Sequence, residues 1–195
     1  LLLTEQDPAK RREFLEVQSG QLDRMNWLIQ TLLKLSKIDA GTITMNPEPV
    51  VADRLIAEVL KPFEIQMELK NITCHREIPQ MIIRCDQNWT VEALQNIVKN
   101  CIEHLNDGGW LSITADETNI YSEVVIEDHG CGIVKEDLSH IFERFYKGKS
   151  AKKDSVGIGL ALAQTILISQ HGEILVESEP GAYTKFSVRF YKTII

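Results

Sequence analysis

Asp128-His129-Gly130-Cys131-Gly132-Ile133 follows the run Val124-Val125-Ile126-Glu127. The run reads as the end of a strand spanning about 120–127. A carboxylate at a strand end can accept a hydrogen bond from an amine. The two glycines let the backbone pass close to a flat ring, because neither carries a Cβ. Taken alone, the same residues also describe a tight turn after a strand.

Two further groups lie on either side of this stretch. Downstream, Ser155-Val156-Gly157-Ile158-Gly159-Leu160 opens a helix, whose first backbone N–H groups suit a phosphate chain. It is not the dinucleotide fingerprint, since no strand immediately precedes it and no G-x-G-x-x-G is present. Nor is it a Walker A loop, since no Gly-Lys-Ser/Thr closes it. Upstream, Asn96 and Asn100 stand one turn apart on a helix expected over Trp89–His104, so both face the same way. Val91, Leu94, Ile97, Val98, Cys101 and Leu105 fill much of the rest of that helix. Side-chain carbonyl oxygens suit Mg2+, which keeps several waters and takes phosphate oxygens. The competing reading is that both amides bond neighbouring loops.

The remaining chain gives these groups a frame. Leu15, Leu22, Met25, Ile29 and Leu32 recur at helical spacing, so residues 10–40 read as one long helix. Pro8 suits its first position and Gly41 its stop. An amphipathic helix of that length needs a partner helix or a second chain. Residues 42–49 carry two prolines and read as a linker. From Val50 the expected order is a helix (51–69), strands (72–77, 81–85), the asparagine helix and strands (110–115, 120–127). A short helix (135–145), a basic stretch (147–153), a helix from Gly159 and a hairpin (173–179, 184–191) across Pro180-Gly181 follow. Strands interleaved with helices in this way predict an α+β sandwich, a mixed sheet with helices on one face.

Composition sets the outer bounds. The chain has 195 residues, 44% hydrophobic and 25% charged, with a net charge of -7. Such a charge argues against a general nucleic-acid binder, which needs a basic face. Cys74, Cys85, Cys101 and Cys131 form no C-x-x-C pair and read as reduced thiols. No run of 18 apolar residues is present, and the chain begins Leu1-Leu2-Leu3 without an initiator Met, so it reads as a piece of something longer.

The order of the groups is more specific than any one of them. Asn-x-x-x-Asn is followed by Asp-x-Gly-x-Gly, by Ile141-Phe142-Glu143-Arg144-Phe145-Tyr146, and by Gly-x-Gly-Leu. This resembles the N, G1, F and G2 boxes of sensor histidine kinases, in the right order. Gly181-Ala182-Tyr183-Thr184-Lys185-Phe186 looks like a degenerate final glycine box. The end of the long helix, Leu32 to Gly41, resembles the second helix of the family's dimerisation and phosphotransfer hairpin.

The resemblance implies a Bergerat-type α/β sandwich preceded by a long helix. It implies that residues 1–41 are the C-terminal part of the hairpin and 50–195 the ATP-binding catalytic domain, with ATP and Mg2+ as ligands. Asp128 would contact the adenine amine, and Gly130, Gly132 and Ile133 would shape the adenine pocket. Asn100 would coordinate Mg2+, with Asn96 beside it. Gly157 and Gly159 would hold phosphate through backbone N–H groups, Phe142 and Phe145 would anchor a lid over roughly 134–156, and Tyr146, Lys147, Lys149, Ile158, Leu160 and Thr184 would also lie in the ATP site. Arg144, Lys147, Lys149, Lys152 and Lys153 give that lid a positive charge suited to a triphosphate.

Related ATPases hold a water-activating Glu where Asn96 stands, and an amide is a poor general base, which favours phosphoryl transfer over hydrolysis. The acceptor histidine of the family is absent: His75, His104, His129, His140 and His171 all lie in the ATP-binding half. Further implications are a response-regulator receiver domain as partner, a homodimer in the intact protein, and no nucleic acid. The chain would be the cytoplasmic domain of a bacterial inner- or plasma-membrane sensor, attached through missing N-terminal segments. The G2 box opens with Ser155 where the family often has Gly, and Glu103-His104 stands after the N box where Lys-Tyr is often found.

Overall fold

The computed structural model describes residues 7–148 and 155–192. The chain forms two compact units, residues 1–43 and residues 44–195. In the first unit, α1 (Pro8–Asp39) runs for 32 residues. Asp7 starts it by accepting a hydrogen bond from the Ala9 N–H at 2.9 Å. Gly41, at φ 63°, ends it: its N–H reaches the Ile38 carbonyl, and the next N–H, of Thr42, reaches Lys37. Leu15, Leu22, Met25 and Ile29, the expected apolar stripe, are exposed on α1.

The second unit is a two-layer sandwich. One layer is a five-stranded sheet in the order β2-β4-β5-β7-β6. Its strands are β2 (Thr73–Glu77), β4 (Trp110–Glu117), β5 (Tyr121–Asp128), β6 (Gly172–Glu179) and β7 (Tyr183–Tyr191). Only β2 and β4 run parallel; the other neighbours are antiparallel. Period-2 alternation sends Val124, Ile126 and Asp128 of β5 and Phe186 and Val188 of β7 inward. The other face carries Glu123 and Arg189, bonded at 2.7 Å, with the guanidinium over the Tyr121 ring. The second layer contains α2 (Ala52–Leu60), α4 (Gln87–His104) and α6 (Gly159–Ser169). Ile97, Val98, Leu162 and Ile166 are fully buried there.

Three elements differ from expectation for local reasons. Pro62 breaks the helix expected over 51–69: α2 gives way to one 3-10 turn (Lys61–Phe63) before α3 (Glu64–Leu69). Glu48 and Pro49, expected in the linker, belong to β1 (Glu48–Val51), which pairs with β3 (Ile82–Cys85) in a separate two-stranded sheet. The helix expected over 135–145 is only α5 (Lys135–Leu138). Beyond it the backbone closes successive three-residue turns, His140 to Asp137, Glu143 to His140 and Tyr146 to Glu143, so no longer ladder forms.

α4 is fixed at both ends. The Asp86 carboxylate accepts from the Trp89 N–H at 3.3 Å and from the Asn46 N–H at 3.0 Å. At the other end the Lys70 ammonium donates to the Ile102 and Leu105 carbonyls at 2.8 and 2.9 Å, a cation against the negative end of the helix.

Candidate functional site

The last residue of β5 is Asp128, and it is 1% exposed. It points inward because it continues the row of Val124 and Ile126. The Gly130 N–H donates to its Oδ1 at 3.0 Å, and the Cys101 thiol of α4 bonds it from within the core. Burial pushes the Asp128 carboxyl up to about 6, although both of these donors favour the ionised form. Burial, together with the nearby Asp128 charge, pushes the Cys101 thiol well above its usual range.

The loop after Asp128 is held by contacts that only glycine permits. A Cβ on Gly130 would lie 2.7 Å from Asp128 Oδ1 and 2.7 Å from the His104 carbonyl oxygen. Gly132 has φ 63°, and a Cβ there would run into the Glu179 carbonyl. The loop is also tied to the β6–β7 hairpin. The Ile133 N–H donates to Ser178 Oγ at 2.8 Å, and the Gly181 N–H donates to the Cys131 carbonyl at 2.7 Å. Thr184, 5% exposed, is the cross-strand partner of Asp128. His129 points away from this cluster, bonded to Glu127 at 3.0 Å and set edge-on to Trp110.

The asparagines occupy different environments. Asn96 donates to the Glu92 carbonyl one turn back, at 2.9 Å. A Cβ on Gly159 would come within 2.8 Å of Asn96 Oδ1, so the absence of a side chain there lets the start of α6 approach α4. Asn100 is half-buried, and its side chain makes no hydrogen bond among the described residues. A side-chain carbonyl without a partner among the described residues is the type of ligand that Mg2+ takes. α6 begins with Ile158 as its cap, and among the described residues no side-chain cap bond satisfies its first N–H groups, a helix start that suits an acceptor. Leu160 lies in its first turn, half-buried.

Some expected residues take other places. Ile158 is fully buried, so its side chain belongs to the core and only its backbone faces the helix start. The Phe145 side chain is 56% exposed. Its contact here is through backbone: Phe145, at φ 67°, donates its N–H to the Gly157 carbonyl at 2.7 Å. Gly157, at φ 72°, sits against the Tyr146 carbonyl. Phe142 and Tyr146 are half-buried, and the Tyr146 hydroxyl donates to the buried Asp137 at 2.9 Å. Lys147 is exposed; Lys149, Lys152 and Lys153 lie outside the described residues.

Ser178, Cys101 and the His104 carbonyl were not anticipated as parts of the site. Ser178 carried a readable signal. It continues the inward row of Ile174 and Val176, and a hydroxyl on an inward row needs partners. The His104 carbonyl left no signal, since it acts through backbone. Among the described residues no group of three or more His, Cys, Asp or Glu is arranged to hold a metal.

A mixed sheet under a helical layer carries a buried carboxylate at the end of one strand and a later helix opened by glycine, an α/β-sandwich arrangement. Residues 85–194 match the family described as histidine kinase-, DNA gyrase B- and HSP90-like ATPase, and the chain belongs to that family. It is 27% identical over 192 residues to the sensor-like histidine kinase SenX3 of Mycobacterium tuberculosis, covering 96% of this chain and 47% of SenX3. It is 30% identical over 178 residues to the sensor histidine kinase WalK of Bacillus subtilis, covering 88% of this chain and 29% of WalK. The chain therefore spans less than half of either relative. The histidine kinase ThkA, solved in complex with the response regulator protein TrrA, shares the fold with a TM-score of 0.78 and 22% identity, covering 97% of this chain and 53% of that one. Among the described residues no helix is long and apolar enough to cross a membrane.

Proposed function

We propose that this chain is the ATP-binding catalytic portion of a sensor histidine kinase, which presents the γ-phosphoryl of Mg-ATP to a histidine for relay to a response-regulator aspartate. The observation that supports the reading is the buried Asp128 carboxylate at the end of β5, followed by a glycine loop in which a Cβ has no room. Buried Asp128 and Thr184 form an amine-accepting end, and the first N–H groups of α6 beside Asn96 and Asn100 form an anion- and metal-accepting end. Asp128 accepts the adenine amine, and Gly130 and Gly132 keep the loop low enough for the ring. The start of α6 and Lys147 favour the phosphates. Mg2+, held by Asn100, would supply charge neutralisation across the phosphate oxygens.

The residues do their work by positioning and by charge stabilisation rather than by acid–base chemistry. Asn96 supports transfer over hydrolysis: its amide is committed to the Glu92 carbonyl and offers no carboxylate for activating water. Residues 1–41 are read as the second helix of the dimerisation hairpin of a homodimeric, membrane-attached parent whose catalytic part faces the cytoplasm. The partner is a receiver domain.

The test is to mix the chain with Mg-ATP and a separate hairpin carrying the acceptor histidine. Acid-labile phosphohistidine on the hairpin is expected. A folded chain that binds ATP but yields none, or one that releases phosphate steadily alone, contradicts the transfer reading.

A further inference from the structure

Ser178 sits at the end of a row that crosses three strands. Asp128 of β5 pairs with Thr184 of β7, and Thr184 pairs with Ser178 of β6. The Ser178 hydroxyl has one proton and two lone pairs. The proton goes to the Tyr183 carbonyl, 2.6 Å away. One lone pair takes the Ile133 N–H at 2.8 Å. The remaining contact is with Thr184 Oγ1 at 3.1 Å. Since the only Ser178 proton is already committed, Thr184 must be the donor in that contact. Its own proton is thereby turned toward Ser178, and what Thr184 can offer elsewhere is lone pairs only.

We infer that Ser178 is a specificity-determining residue, which fixes the Thr184 hydroxyl as an acceptor beside Asp128 so that the site takes a purine with an amino group at position 6 and rejects one with a carbonyl there. This rests on the ATP reading above and deepens it. An ionised Asp128 and a proton-committed Thr184 are both acceptors. A 6-amino group has two protons to give them. A 6-oxo group has none and would set lone pairs against lone pairs, which leaves buried acceptors unmatched. Asp128 alone supplies part of this preference. Without Ser178, the Thr184 hydroxyl is free to rotate and donate to a 6-oxo group, and its share of the discrimination is lost.

The experiment is calorimetric titration of ATP and inosine triphosphate, each with Mg2+, into the wild-type chain and the variants Ser178→Ala, Ser178→Thr, Thr184→Val and Ser178→Ala/Thr184→Val. The wild type should prefer ATP. Ser178→Ala should lower the ATP-to-inosine-triphosphate affinity ratio about tenfold, the size of one mispaired hydrogen bond, and Ser178→Thr, which keeps the hydroxyl, should restore it. Thr184→Val should lower the same ratio, with no further fall in the double variant; this arm also decides the matter if Ser178→Ala does not fold. Equal weakening of both nucleotides in Ser178→Ala, with the ratio unchanged, makes Ser178 a merely structural support and overturns the inference. A wild type that binds neither nucleotide overturns the ATP reading itself, and is distinguishable for that reason.

Discussion

The two ends of the candidate site are built differently. At the Asp128 end, the contacts join residues far apart in sequence: Ile133 to Ser178, Cys131 to Gly181, Cys101 to Asp128. Cys101 and Asp128 are buried, the Ile133–Ser178 bond is part-buried, and the Cys131–Gly181 bond ties the loop to the hairpin at the surface. At the α6 end, the contacts are local: His140 to Glu143 at 2.7 Å, Tyr146 to Asp137 at 2.9 Å, and a series of three-residue turns. Among the described residues, a longer tie there is the bond from the Phe145 N–H to the Gly157 carbonyl. The first end is therefore preorganised by the same packing that stabilises the domain, and disturbing it disturbs the fold. The second end is set by a few hydrogen bonds, each of modest net value.

This contrast predicts the largest effect at Gly132. Gly132→Ala places a methyl against the Glu179 carbonyl in left-handed backbone, and should cost about 2–4 kcal/mol of stability, read by urea unfolding. Gly181→Ala, also at positive φ but with nothing within 4 Å of its Cβ, should cost only about 1 kcal/mol. Equal costs at the two positions would remove the distinction between a packed loop and an ordinary turn.

The next effect is on pH. The Asp128 carboxyl is raised in the folded protein from its ordinary 3.8 to about 6. A raised acid penalises the fold while ionised, above pH 6, and the penalty lifts as protons bind between 6 and 4. The stability of the wild type relative to Asp128→Asn should therefore rise as pH falls from 7 to 5. ATP affinity should move the opposite way, weakening about tenfold over the same range because the accepting form is lost. Asp128→Asn should lack this component, and parallel profiles for the two proteins would contradict the assignment.

Smaller effects are expected at the other end. Asn100→Ala should remove most of the Mg2+ dependence of nucleotide affinity, a loss of about tenfold with Mg2+ and little with a chelator present. Tyr146→Phe removes one hydrogen bond to Asp137, and should weaken ATP about threefold to fivefold without changing the unfolding midpoint by more than a few degrees. A Tyr146→Phe effect larger than that of Asn100→Ala would mean that the segment after α5 is as tightly built as the Asp128 loop.

The same division governs how much could be read from the sequence. Regular spacing exposed α1, the asparagine faces of α4 and the inward row of β5, because periodicity is a local property. The glycine positions were legible because left-handed backbone and close approach have few other solutions. The inward position of Ser178 was legible by the same periodicity, but its partner Thr184 was not, since that pairing depends on a cross-strand register joining residues 128, 184 and 178. Nor was the open turn structure after Leu138, where helical propensity gave way to Phe145 in left-handed backbone. The identity of Ile158 as core rather than ligand contact likewise depends on how α6 seats on α4, which spacing alone does not define.

Titration of ATP into the wild-type chain and Asp128→Asn, each with and without Mg2+, tests the central claim most directly. The account predicts a single site in the wild type that tightens with Mg2+, and a loss of about a hundredfold in Asp128→Asn while its unfolding remains cooperative. ATP bound equally well by both proteins, or by neither, would contradict it.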